Sequence, residues 1–142
     1  MTFLPDSEYI VVKALQWYHP QTFYKIPANV HKLTADGQVV LAVYKTGGKA
    51  PATDFVDNTM LTVQAFSSDR RAASATARKV RAWLHELCLN QTRVENEGFL
   101  ANFRELTGPM PVTNDELTAN QPELFRFVAT YMVATKPLRE VS

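Results

Sequence analysis

Hydrophobic residues recur at helical spacing in two segments of the chain. In the first segment, the apolar face ends at Pro20, because the residue before a proline leaves helical geometry. In the second segment, apolar residues share one face over residues 73–87. The spacing therefore predicts one helix over residues 5–19. It predicts a second that runs from a cap at residues 67–69 to about residue 89.

Five segments have the composition or the periodicity of strands. Residues 38–45 and 56–66 are rich in β-branched or apolar side chains, residues 98–107 alternate imperfectly, and residues 125–134 alternate strictly. Residues 29–33 are predicted as a short strand. Together with the two helices, these segments predict an α+β fold. Its sheet is mostly antiparallel or mixed, has about five strands and carries the two main helices.

Turn and loop residues separate these elements. Residues 36–37 (Asp-Gly) predict a turn that closes a hairpin between the short strand and the strand that follows. Two glycines and a proline predict a flexible loop over residues 46–53, and two prolines predict a loop over residues 108–111. Polar sequence predicts a connection over residues 113–121 and a frayed tail over residues 136–142.

Size, charge and cysteine content limit the classes of function. A chain of 142 residues predicts a single domain over residues 1–142, and 15 Lys and Arg against 14 Asp and Glu leave a net charge of +1. This balance gives no overall attraction to nucleic acid or to an acidic membrane. Cys88 is the only cysteine, which excludes an intrachain disulfide and suggests a reducing compartment. Without a membrane-length apolar run or a basic-then-apolar leader, a soluble cytoplasmic protein is expected.

No set of residues has the spacing of a catalytic or metal site. The three histidines, at positions 19, 31 and 85, are scattered. Gly47, Gly48 and Lys49 are similar to the end of a phosphate-binding loop, but the upstream glycine is missing and a proline excludes the helix that should follow. Cys88 is interpreted as a structural thiol. We therefore predict no enzyme activity, no cofactor and no metal.

Two surface features favour binding over catalysis. Arg71, Arg78 and Arg81 fall with His85 on the polar face of the second helix, where they could be solvated, contact phosphates or pair with carboxylates of another subunit. Aromatic residues at positions 17, 18, 23 and 24 cluster near the end of the first helix. Such residues normally pack in a core, and exposure would make them interface anchors.

The order of these features resembles a known protein family. An N-terminal helix and a strand over residues 38–45 precede the strand-to-helix unit VQAFSSDRRAASATARKVRAWL at residues 63–84. A closing strand over residues 125–135 runs into Lys-Pro-Leu-Arg at residues 136–139. This layout resembles the tail terminator, or tail completion, proteins of long-tailed bacteriophages. The resemblance implies a ring of six subunits on the upper end of the tail tube that stops tube polymerisation and offers its other face to the head or neck.

The resemblance also implies partners and a location. The partners are copies of the same chain in a homohexameric ring, the tail tube protein and a neck or head-completion protein, with phage DNA passing through the ring without sequence-specific binding. The location is the head-proximal end of the virion tail, after assembly in the host cytoplasm and with no membrane. The loop over residues 46–53, with Gly47, Gly48 and Lys49, is predicted to contact an axial neighbour, and an open sheet edge is a second candidate contact.

Arg71, Arg78 and Arg81 are candidates for salt bridges between neighbours in the ring. Two alternative functions stay open at this point. One is a head–tail connector or head-completion (neck) protein. The other is a small nucleic-acid-binding module that would bind duplex DNA in a salt-sensitive way through Arg78 and Arg81.

Overall fold

One mixed sheet carries the helices of this chain. A computed structural model describes residues 4–52, 56–112 and 124–138. In these residues the elements are, in chain order, α1 (Ser7–Tyr18), β1 (Thr22–Phe23), α2 (Val30–Leu33), β2 (Val40–Ala52), β3 (Val56–Ser67), α3 (Arg70–Leu89), β4 (Arg93–Val94), β5 (Gly98–Pro111) and β6 (Phe125–Pro137).

The strand order in the sheet is β1-β2-β3-β6-β5-β4. β1 runs parallel to β2, and all the other neighbouring strands are antiparallel. The sheet is curled, and two of the three helices are substantial. The predicted α+β fold is confirmed, with six strands in the described residues rather than about five.

Both long helices begin at a capping aspartate. Asp6 Oδ1 accepts a backbone N–H of the first turn of α1 at 3.1 Å, and Asp69 Oδ1 accepts the N–H of Arg71 at 2.9 Å in α3. These bonds satisfy donors that have no partner inside the helix. Both predicted helices are confirmed, although α1 begins after Asp6 rather than at Pro5, because Asp6 is the cap.

Both long helices pack on the same face of the sheet. Ala73 and Ala77 belong to the buried face of α3 and allow a close approach to the strands, while Val80 and Leu84 fill the wider gap further along. The largest fully buried side chains of this core are Ile10, Leu15, Leu41, Leu61, Leu84, Leu100 and Tyr131.

The segment predicted as a short strand, residues 29–33, is part of the short helix α2. Val30 is buried in a second, smaller cluster with Phe66, on the sheet face opposite the long helices. The hydroxyl of Thr34 donates to the Val30 carbonyl at 2.8 Å and closes a helical turn. Residues 36–37 therefore do not close a hairpin, and β1 lies beside β2 instead.

Three strands are longer than predicted, because a partner strand extends them. The loop predicted over residues 46–53 is strand as far as Ala52, since this stretch pairs with β3. The loop predicted over residues 108–111 is the end of β5, whose outer side can accommodate prolines. The tail predicted from Lys136 begins as strand, because Lys136 pairs with Phe99. Residue 53, the predicted connection and the rest of the tail lie outside the described residues.

A buried carboxylate joins α1 to the sheet. Asp57 Oδ2 accepts hydrogen bonds from Ser7 Oγ at 2.9 Å and from Thr59 Oγ1 at 3.0 Å, and Ser7 Oγ lies 2.6 Å from Thr135 Oγ1. All four residues are buried. Because a buried carboxylate is stable only when it is hydrogen-bonded, this group fixes the start of α1 against β3 and β6.

We expect Asp57→Ala to lower the free energy of unfolding by about 2 kcal/mol, because the buried hydroxyls of Ser7 and Thr59 lose their acceptor. Urea denaturation measures this change. Asp36→Ala, which removes an exposed carboxylate, is the control and should change the free energy by less than about 0.5 kcal/mol. Equal effects of the two substitutions would contradict the role assigned to Asp57.

Candidate functional site

The titratable side chains that the structure describes do not converge on a catalytic centre. His19 Nε2 lies 2.6 Å from the Val39 carbonyl oxygen, and the ring of His85 packs edge-on against Phe103. Burial raises the pKa of the Cys88 thiol to about 12, so this thiol is protonated at neutral pH and is a poor nucleophile. Among the residues that the structure describes, no group of three His, Cys, Asp or Glu side chains could hold a metal ion. None of the described helices has the length and apolarity to cross a membrane.

One open edge of the sheet belongs to β2. The two residues of β1 pair with the beginning of this strand, and Glu8 Oε2 then accepts the N–H of Lys45 at 2.7 Å. Within the described ranges, no strand lies beyond β2 over residues 46–52, which we call the β2 edge. Backbone groups along such an edge can pair with another strand. The predicted contact residues on this edge are Gly47, Gly48 and Lys49.

The other open edge belongs to β5. β4 pairs with the first two residues of β5, and the N–H of Leu100 donates to the Thr92 carbonyl at 2.9 Å. In the part of the chain that the structure describes, no strand lies beyond β5 over residues 101–111, which we call the β5 edge. Leu106 is 40% exposed and Met110 is 51% exposed, so apolar side chains flank this edge.

Bulges interrupt both edges. The register between β2 and β3 shifts after Lys45 and again after Lys49. The register between β5 and β6 shifts after Leu100, after Glu105 and after Thr107. Because a bulge bends a strand and increases its twist, neither edge is a flat ribbon.

The arginines of α3 have different surroundings. Arg81 Nη2 donates to Glu105 Oε1 at 2.8 Å within the same subunit, while Arg71 and Arg78 are exposed. The Tyr131 hydroxyl lies beside this pair. Burial and then the Glu105 carboxylate raise its pKa, the Arg81 guanidinium lowers it, and the resulting pKa is about 12. Arg81 therefore holds α3 to β5, whereas the other two arginines face solvent.

The aromatic residues near the end of α1 are only partly buried. Tyr18 stacks on Trp83 of α3 with ring centroids 5.4 Å apart. Phe23 packs against the smaller core cluster, whereas Tyr24 is exposed and Trp17 is 64% exposed. The expectation of core packing therefore holds for Phe23, and Trp17 becomes a candidate interface anchor.

A surface that the sequence did not indicate lies opposite α1 and α3. Beyond the small cluster around α2, none of the described helices covers this side of the sheet. Cross-strand partners form rows across it, and we call it the open face. Its rows contain Gln64 and Val128; Tyr44, Thr62 and Thr130; Met60, Met132 and Arg104; Asn58, Ala134 and Asn102; and finally Lys136, Phe99 and Arg93.

A signal for the open face exists in the sequence. Residues 125–134 alternate between two sets of side chains, and one set lies on the open face. The alternation does not say which set the helices cover, because both sets are partly apolar. The pairing of the strands in the sheet determines which of the two sets the helices cover.

The comparison with protein families gives one match. The family model described as phage tail termination protein matches residues 3–117, which include α1, α3 and all strands except β6. No curated protein matches the chain.

The two glycines of the β2 edge differ in what a side chain would meet. Gly48 has a φ of +121°, and a Cβ there would overlap the Asn58 carbonyl oxygen and lie 2.8 Å from Thr59 Cα. At Gly47 the nearest atom would be the flexible end of Met60, at 3.1 Å. The backbone of β2 therefore requires glycine at one position and tolerates alanine at the other.

We expect Gly48→Ala to lower the free energy of unfolding by about 3 kcal/mol, because it adds a backbone clash to an unfavourable φ. Gly47→Ala should lower it by less than about 1 kcal/mol, because a methionine side chain can move. Urea denaturation measures the free energy of unfolding of each variant. Similar losses at both positions would show that the β2–β3 pairing differs from the one described.

Proposed function

Since the chain belongs to the family of phage tail termination proteins, it is a structural component of the bacteriophage tail, and we propose that it closes the head-proximal end of the tail tube. In this proposal, copies of the chain form a ring that stops tube polymerisation and provides the attachment face for the head or neck. The observation that carries the proposal is the pair of unlike open edges on opposite sides of one sheet.

The two edges support a head-to-tail contact between subunits. β2 and β5 run in opposite directions, because each neighbouring pair in the order β2-β3-β6-β5 is antiparallel. The β5 edge of one subunit can therefore add to the β2 edge of the next as a regular antiparallel pair. A contact between unlike surfaces repeats by rotation and closes into a ring when the rotation fits.

We propose six subunits, the number that the family resemblance implies. Gly47, Gly48 and Lys49 were expected to contact an axial neighbour. Because they lie on a lateral edge of the sheet, we now propose that they contact the neighbour in the ring. The exposed Arg71 and Arg78 are proposed to pair with carboxylates of neighbouring subunits.

A ring of this kind terminates a polymer by geometry alone. One axial face would bind the last layer of tail tube protein, and the other would lack the contact that adds a further layer. That second face would bind the neck or head-completion protein. No step of this function forms or breaks a covalent bond, so it requires no catalytic residue and no cofactor.

A mixing experiment tests the head-to-tail contact. We expect Thr46→Glu on the β2 edge and Leu106→Glu on the β5 edge each to prevent ring formation, because a buried carboxylate without a partner is unfavourable at either edge. An equimolar mixture should form dimers, since each variant keeps one intact edge. Native mass spectrometry measures the species, with Gln38→Glu, away from both edges, as control. Intact rings from either variant would contradict the proposed contact.

The role in termination is tested in the virion. In a phage that lacks the protein, we expect electron microscopy to show tails of uncontrolled length, because nothing caps the tube. Supplying the wild-type chain should restore uniform tails, and supplying Thr46→Glu should not. Tails of normal length with unjoined heads would instead support a head-completion role.

A further inference from the structure

The open face differs in charge from the rest of the described surface. Its rows contain three exposed cations, Arg93, Arg104 and Lys136, and no aspartate or glutamate among the described residues. The acidic strand residues point to the other side of the sheet, where Asp57 is buried and Glu105 is paired with Arg81 of α3. This face therefore attracts anions without a competing carboxylate of its own.

A hollow of about 200 Å³ lies beside one of these cations, Arg104, and is lined by Asn58, Asn102, Phe103, Arg104, Met132 and Ala134. Asn102 Oδ1 accepts the N–H of Phe103 at 2.9 Å, so the amide NH₂ is the part of this side chain that can donate to a ligand. The guanidinium of Arg104 adds a fork of donors that matches the oxygens of a phosphate. The hollow thus brings amide and guanidinium donors together with a few apolar side chains.

The geometry points to a contact between this hollow and the backbone phosphates of duplex DNA, an inference that rests on the proposed ring. When a curled sheet closes edge to edge, one face is turned to the channel. α1 and α3 occupy the other face and need the larger circumference, so the open face lines the channel. We propose that Arg104, with Asn58 and Asn102, holds one phosphate per subunit, while Lys136 supplies a second cation.

The proposed contact is suited to DNA that moves through the channel of the ring. In this contact the donors of the hollow face phosphate oxygens, which carry no sequence information, so binding is independent of sequence. A few cations per subunit give weak binding that falls with salt. By contrast, the arginine stripe of α3 lies on the opposite side of the sheet, and Arg81 in it is already paired. The nucleic-acid surface is therefore on the sheet and not on the helix.

The first test measures binding of a fluorescently labelled linear duplex to the assembled protein by anisotropy over a range of salt concentrations. We expect Arg104→Glu and Lys136→Glu each to weaken binding about tenfold at low salt and to reduce its salt dependence. Arg104→Lys should retain most of the affinity. Lys79→Glu, an equal charge change on the exposed side of α3, is the control and should have little effect.

A DNA affinity that is unchanged in Arg104→Glu, or lowered equally by the α3 control, would overturn the inference. Native mass spectrometry of each variant shows whether the ring is intact, so that a loss of assembly is not mistaken for a loss of DNA contact.

The second test uses phage that carry Arg104→Glu. We expect tails of normal length and slower DNA ejection, because the channel then contains a ring of carboxylates. Tails of abnormal length in this variant would place Arg104 in assembly and overturn its role in DNA contact. Failure of the proposed function has a different signature, which is normal tail length in phage lacking the protein altogether.

Discussion

The structure depends on how the backbone hydrogen-bonding groups of four long strands are satisfied. Inside the sheet, β3 and β6 have a partner on both sides over most of their length. At the outside, β1 and β4 are two residues long and leave most of the outer sides of β2 and β5 without a neighbouring strand among the described elements. Backbone groups in that position favour a further strand, and a second copy of the chain has the matching edge.

The packing of the helices on one side gives the sheet two different faces. α1 and α3 cover the strands through a continuous apolar core, and Asp57 joins the start of α1 to β3 and β6. The opposite face has a mixture of hydroxyl, amide, cationic and apolar side chains. Both faces arise from the alternation of side chains within the same strands, so one set of side chains packs under the helices and the other set is left on the open face.

Local signals in the sequence predicted the two long helices, and nonlocal pairing decided most of the rest. Periodicity located both helices, and the predicted cap at residues 67–69 contains Asp69, whereas the start of α1 was predicted at Pro5 and not after the cap Asp6. The extension of β2 through residues 46–52 depends on β3, and its glycines suggested a loop. Arg81 could not be assigned to an internal ion pair, because Glu105 lies on a distant strand. The open face required knowledge of which side of β6 the helices cover.

The bulges of β2 and β5 also bear on whether the open edges can form fibres. A long, straight, apolar edge is a template for amyloid-like growth, which needs stacked segments of roughly six or seven residues. The register shifts after Lys45, Lys49, Leu100, Glu105 and Thr107 divide both edges into shorter pieces. Each piece is too short to seed a fibril. Two open edges on one sheet are therefore compatible with a low tendency to form such fibres.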